Sequence, residues 1–186
     1  MTDKQTMSVG LATSREEVFA LKAQAFRPLP DDHAVYALIG LITSECARIE
    51  HFLDATIFEF CGLQSHARLG TCVTGQMVGA YPRYQALHRL ATECDAPEPI
   101  RSEIKRLERQ SHDVANKRNR AVHDAWMEEV DSKESHQFRT KAKSDQYGPQ
   151  PVSLDDLRSD LATVRQHLAE VMKLRGDVWE LFRLKP

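Results

Sequence analysis

The chain predicts an all-α fold, an up-and-down helical bundle built on two long antiparallel helices. Two observations lead there. Five or more segments repeat apolar residues at helical spacing, most of them behind a capping residue or a proline. Strand-like alternation is scarce, aromatic residues make up only 7% of the chain, and the eight glycines are thinly spread, which leaves little material for many short strands. The expectation is a mainly helical molecule with no sheet larger than one hairpin.

Residues 1–13 are polar and patternless and read as a flexible tail, and residues 14–186 as a single helical domain. Ser14, with Glu17 three residues on, forms a capping box that opens a helix to about Phe26, where Pro28 and Pro30 end it. Asp31 and Asp32 cap the first long helix, over 31–61. Its stripe is Val35, Ile39, Ile42, Cys46, Ile49, Leu53, Ile57 and Phe60, the strongest periodic signal in the chain. Gly62 stops it. A weaker helix runs from Ser65 to Val78, Gly79 breaks the pattern, and Pro82 starts another through Cys94. Pro97 and Pro99 open the second long helix, over 99–124. Residues 127–150 are polar, contain Gly148-Pro149 and alternate only faintly from His136 to Lys141, which predicts a polar loop or one small hairpin. Ser153 and Asp156 begin a last helix through Leu184, with Leu157, Leu161, Val164, Leu168, Val171, Leu174 and Val178 as its stripe.

Composition narrows the class. With 186 residues, 41% hydrophobic and 28% charged, the chain suits a soluble globular domain with a core of its own. Cys46, Cys61, Cys72 and Cys94 form no CxxC pair and sit in or beside apolar patterns. They read as reduced core residues of a cytoplasmic protein, with no disulfide frame, metal or other cofactor. No apolar run is long enough to span a bilayer and the N-terminus carries no apolar signal segment, so neither membrane nor secretion is expected. A formal net charge of −2 argues against a general nucleic-acid coating protein. Yet residues 101–123 hold seven Lys or Arg against three acids, enough to meet a few phosphates. Pairs such as Glu108/His112 would instead make that helix an ordinary solvated face.

The segment Arg118-Asn119-Arg120-Ala121-Val122-His123 closes the basic helix. At about 100° per residue, Ile104, Leu107, Val114, Ala115, Ala121 and Val122 cluster around Arg118, so the arginine sits in the apolar stripe, where an unpaired charge costs several kcal/mol. Asn119 and His123 share the edge of that stripe. Arg-x(4–6)-His also occurs at Arg27/His33, Arg83/His88 and Arg106/His112, and about two matches are expected by chance. Arg118/His123 differs by its amide neighbour, its apolar setting and the Trp126 that follows as a core lid. Glu50 borders the stripe of the facing helix. Packing the 31–61 helix on the 99–124 helix would therefore set its carboxylate against Arg118. His51, His66, His136 and His167 show no partner spacing and read as surface residues.

Lys117 to Trp126, KRNRAVHDAW, resembles the Arg-Asn-x-x-x-His signature of the HEPN superfamily, the all-α domains of higher eukaryotes and prokaryotes nucleotide-binding. Leu38 to Leu63 is similar to that family's first core helix, with Glu50 as its inward glutamate. The resemblance runs from Asp31 to Trp126. Asp124 departs from it, since relatives carry a small residue, usually glycine, after the histidine. The resemblance implies a metal-independent endoribonuclease acting on single-stranded or loop RNA, with Arg118, Asn119, His123 and Glu50 as site residues. It further implies a homodimer with a composite cleft, an antitoxin protein as partner, and a toxin or defence role.

The residue types suit that chemistry. An imidazole, ordinarily titrating near neutrality, can take the proton of a ribose 2′-hydroxyl, while a guanidinium fork neutralises the phosphate. Two other readings compete: a non-catalytic HEPN-like dimeric binding module, and an HD-type metal-dependent phosphohydrolase built on His88, His112-Asp113 and Asp155 or Asp160.

Overall fold

The structure, a computed structural model, describes residues 25–140 and 147–183. About 70% of it is helical. The order of elements is β1 (Phe26–Pro28), α1 (Ala34–Phe60), α2 (Ala67–Thr74), α3 (Ala80–Glu93), α4 (Glu98–His123), β2 (Ala125–Glu129), β3 (Ser135–Thr140), β4 (Tyr147–Pro151) and α5 (Leu154–Arg183). Two compact units result: the five helices, from residues 31–124 and 153–183, and the four strands, from 25–30 and 125–152. The single domain expected over 14–186 takes in both. The expected helix from Ser14 lies outside the described residues except at its end, where Phe26 begins a strand.

In the helical unit, α1 packs most extensively against α5; α3 packs on α4 and α1, and α4 also on α5 and α1. The main partner of α1 is therefore the C-terminal helix and not the motif helix. The reason is in the stripes: Ile42, Ile49, Leu53 and Ile57 of α1 are almost fully buried, and so are Val164, Val171, Leu174 and Val178 of α5. Each such side chain removed from water contributes roughly 1.5–3 kcal/mol. All seven predicted stripe residues of α5 are buried, and the Ser153/Asp156 capping box forms, with the Ser153 N–H donating to Asp156 Oδ2 at 2.8 Å and the Asp156 N–H to Ser153 Oγ at 3.1 Å. At the start of α1 the cap is His33, whose Nδ1 accepts from the Val35 N–H, in place of Asp31 or Asp32. Gly62 ends α1 with φ +65°, and the Leu63 N–H returns to the Phe58 carbonyl at 2.8 Å, a Schellman closure. Cys46 and Cys94 are half-buried and Cys61 and Cys72 exposed, so the cysteines are free but are not core residues.

One arginine ties α3 to α1. Arg83, only 7% exposed, donates from Nε to Asp54 Oδ1 at 2.7 Å and from Nη2 to Asp54 Oδ2 at 3.3 Å. Its Nη1 donates to the carbonyls of Met77 (2.6 Å) and Gly79 (2.8 Å) and lies 3.4 Å from Glu50 Oε2. The loop carbonyls before α3 and a carboxylate pair on α1 thus meet on one guanidinium.

The strand unit corrects the all-α expectation. A four-stranded antiparallel sheet of order β1-β2-β3-β4 stands where a polar loop or small hairpin was predicted near 127–150. Phe26 faces Glu129, Met127 faces His136, and His136 faces Pro151 in its register. Burial alternates in β2, but in β3 the buried residues His136 and Gln137 are consecutive. Trp126, Glu128, His136 and Gln137 are buried, and three of those four are polar, so a pattern search for apolar period two finds little. Glu128 is reached by Arg27 Nη2 at 3.3 Å, and Phe26 packs edge-on against His136 and Phe138. The prolines fall on the edge strands, Pro28 in β1 and Pro149 and Pro151 in β4, where a missing N–H costs no ladder bond.

Two histidines expected at the surface are buried. His136 lies in the sheet. His167 of α5 is 4% exposed, and its Nε2 is 2.9 Å from the Tyr84 hydroxyl of α3. Burial lowers the His167 pKa below 6.5, against the pull of Glu170 and with the help of Arg106. Burial likewise raises that of the Tyr84 hydroxyl, so the pair is a neutral ring accepting from a neutral phenol.

Two outcomes follow for stability. Asp54→Ala strands a buried guanidinium and costs about 3–5 kcal/mol in urea denaturation, whereas Glu50→Gln, at a side chain 38% exposed, costs about 1 kcal/mol or less. Equal losses at the two positions would refute this division of labour. For His167, the unfolded ring binds a proton near pH 6.5 and the native ring only at lower pH. Its contribution is therefore full above about pH 6.5 and is lost as pH falls toward the native value. Denaturation midpoints measured down the acid range should fall less steeply in His167→Gln than in the wild type; parallel slopes would rule the linkage out.

Candidate functional site

The predicted site lies at the C-terminal end of α4. The buried row of this helix runs Ile104, Leu107, Ser111, Val114 and Ala121, and Arg118 falls at the helical step between the last two. Ala115 and Val122, assigned to the stripe from the sequence, point outward, Val122 being 39% exposed. Arg118 thus has an apolar position but lies within the last two turns of its helix, where a long side chain can carry its charge out to solvent. It is half-buried, and Asn119 and His123 are exposed.

The three side chains do come together. Arg118 Nη1 donates to Asn119 Oδ1 at 3.1 Å and lies 3.4 Å from His123 Nε2. An arginine has no acceptor, so the contact to His123 requires the lone pair on Nε2 and the ring proton on Nδ1. No protein partner occupies the remaining guanidinium N–H groups among the described residues. Arg120 and His123 both stand in the last turn, where positive charge complements the helix dipole. Asp124 is the C-cap, its N–H reaching the Arg120 carbonyl at 3.3 Å, and its extended backbone ends the helix.

Glu50 is not the partner of Arg118. Its carboxylate is with Arg83, and Arg118 makes no ion pair among the described residues. The two charges nonetheless share a neighbourhood, because both act on the Cys46 thiol of α1. Burial, with smaller contributions from Glu50 and Glu45 and against that of Arg118, pushes the Cys46 pKa up to about 11. The correction has a geometric cause: Glu50 and Asp54 are one turn apart on α1, and both turn toward the start of α3. Sequence spacing singled out Arg83/His88 as one of four similar pairs, but nothing in it distinguished which arginine Glu50 would meet.

Glu45, one turn before Ile49, was not foreseen. It is 8% exposed and accepts from Arg48 Nη1 at 2.6 Å and from Arg165 Nε of α5 at 3.1 Å. Burial works against its charge, yet the two arginines hold the carboxyl below its ordinary range. It joins α1 to α5 and its cations are taken. A hollow of about 480 Å³ lies elsewhere, lined by Phe52, Met172, Arg175 and Trp179 among others, and none of the motif residues borders it.

Among the described residues, the clustered groups with metal-ligand potential do not include His88, His112, Asp113, Asp155 or Asp160. His112 stacks on Tyr81, Asp155 pairs with Arg158, and Asp160 with Lys117. A Glu129, Glu134 and His136 group does approach ligand spacing, but in the strand unit. No helix among the described residues is long and apolar enough to cross a membrane. In comparisons with known proteins, the chain matches no family model, no curated protein and no solved structure.

Proposed function

We propose that the protein is a metal-independent endoribonuclease of HEPN type, working in the cytoplasm as a homodimer in a toxin or defence role, with an antitoxin protein as partner. One observation carries the reading: a guanidinium bridging an amide oxygen and an imidazole nitrogen at an accessible helix end. His123 turns its Nε2 lone pair from Arg118 to a ribose 2′-hydroxyl and takes that proton. The freed oxygen attacks the adjacent phosphorus, the bond from phosphorus to the 5′-oxygen breaks, and a 2′,3′-cyclic phosphate and a 5′-hydroxyl result. Arg118 uses its unoccupied N–H groups on the non-bridging oxygens, where negative charge builds. Asn119 Oδ1 holds the guanidinium in place through the same Nη1 that reaches His123. A second copy of His123, from the partner subunit of a two-fold dimer, returns the proton to the leaving oxygen.

Purified protein should cleave single-stranded RNA with EDTA present and leave DNA, which lacks the 2′-hydroxyl, intact. His123→Ala should lower cleavage by about 10²-fold or more. Arg118→Ala should lower it as far with a stability change within roughly 1 kcal/mol, since no buried carboxylate is orphaned. Dependence on a divalent metal, or full activity in His123→Ala, would overturn the mechanism. Absence of cleavage in a dimer that still binds RNA would leave the same residues as a binding module.

A further inference from the structure

The outward face of α4 carries a row that the motif alone does not explain. Lys105, Arg109, His112, Asn116, Asn119 and His123 alternate four and three residues apart, the spacing that keeps side chains on one line of a helix. All six are exposed. The row lies opposite the buried one of Ile104, Leu107, Ser111 and Val114, and it contains no acid. Over 18 residue steps it extends roughly 27 Å.

Pairing elsewhere on the helix concentrates charge along this line. Arg101 is with Glu98, Arg106 with Glu103 and Glu170, and Lys117 with Asp160 and Asp113. Lys105 and Arg109 make no ion pair among the described residues, and His112 is not with Glu108. His112 instead lies 5.0 Å from the ring of Tyr81, which is 43% exposed and held by Gln85 through its hydroxyl. The row thus offers cations at one end, an exposed aromatic pair in the middle, and amide and imidazole donors at the motif.

We propose that this row is the track along which a single-stranded RNA lies, its phosphates on Lys105 and Arg109 and a base stacked at Tyr81 and His112, leading to Arg118 and His123. The inference deepens the ribonuclease reading and rests on it for where the strand ends. Charge complementarity selects a polyanion, and an accessible ring beside the cations selects unpaired bases over a duplex, whose bases are already stacked. A second copy laid along the same row would bring like charges together.

The test is fluorescence anisotropy with a labelled single-stranded RNA spanning the helix, in the uncleaving His123→Ala background. Adding Lys105→Ala and Arg109→Ala should weaken binding on the order of tenfold at low salt. It should also flatten the log–log salt dependence by about 1.4, two phosphates at about 0.7 each. Tyr81→Ala should weaken binding without changing that slope, and Arg158→Ala on α5 should change neither. With His123 restored, cleavage of a dinucleotide should be unaffected by the Lys105 and Arg109 changes, while that of the long RNA falls. Affinity and slope equal to the parent's, in variants with unchanged helicity, would refute the track. So would a loss of affinity that follows a shift from dimer to monomer in light scattering. If no RNA is cut but the slope still flattens, the catalytic reading fails and the track stands.

Discussion

Much of the helical unit hangs on the guanidinium of Arg83. A charge this deeply buried is tolerable only when nearly every donor is met, and here two carboxylates and two loop carbonyls meet them. The consequence is positional. α3 cannot slide along α1 without breaking a forked pair, and α3 is one of the supports on which α4 rests. The left-handed Gly79, whose φ of +78° suits glycine, presents one of those carbonyls. This polar cluster therefore fixes α3 on α1, beside the helix that carries the motif.

Because Arg83 claims Glu50, Arg118 keeps an open fork. Had the glutamate paired with Arg118, the guanidinium would be a structural cation with its anion-binding geometry already spent. Instead it leans on neutral acceptors, an amide oxygen and an imidazole nitrogen, which orient it without cancelling its charge. The two faces of α4 make this arrangement. One face is buried and mostly apolar, with Arg118 between Val114 and Ala121; the other is exposed and polar and ends in Asn119 and His123. The long arginine stem connects them, so the charge joins the exposed row although its Cα belongs to the buried one.

The strand unit follows another logic. Its interior positions carry Glu128, His136 and Gln137 besides Trp126, and Arg27 supplies the countercharge for Glu128. Proline-bearing strands at both edges limit further strand addition, since a row of unpaired donors is what recruits another chain. Such a sheet is held by backbone pairing and polar contacts more than by an apolar layer.

The sequence alone determined the long helices, the cap of the last one and most of the residues they bury, although His33 and not Asp31 or Asp32 caps α1, and Ala115 and Val122 of α4 face outward. The 3.6-residue period of Val35 to Phe60 and of Leu157 to Val178 is a local property, and so is the Ser153/Asp156 box. It also singled out Arg118, Asn119 and His123 as one cluster, since their proximity needs only a continuous helix. Tertiary structure alone decided the pairings between elements. Whether Glu50 meets Arg118 or Arg83 depends on how three helices rotate about their axes, and both choices satisfy the same local pattern. His167 is a similar case: its spacing from Val164 and Val171 puts it on the buried side of α5, and Tyr84 from another helix supplies the hydrogen bond that lets a ring be buried there. The sheet was illegible for a related reason. Of the four strands, only β1 pairs with one distant in the chain, and where the buried residues are polar, as Glu128, His136 and Gln137 are, no hydrophobic alternation marks them.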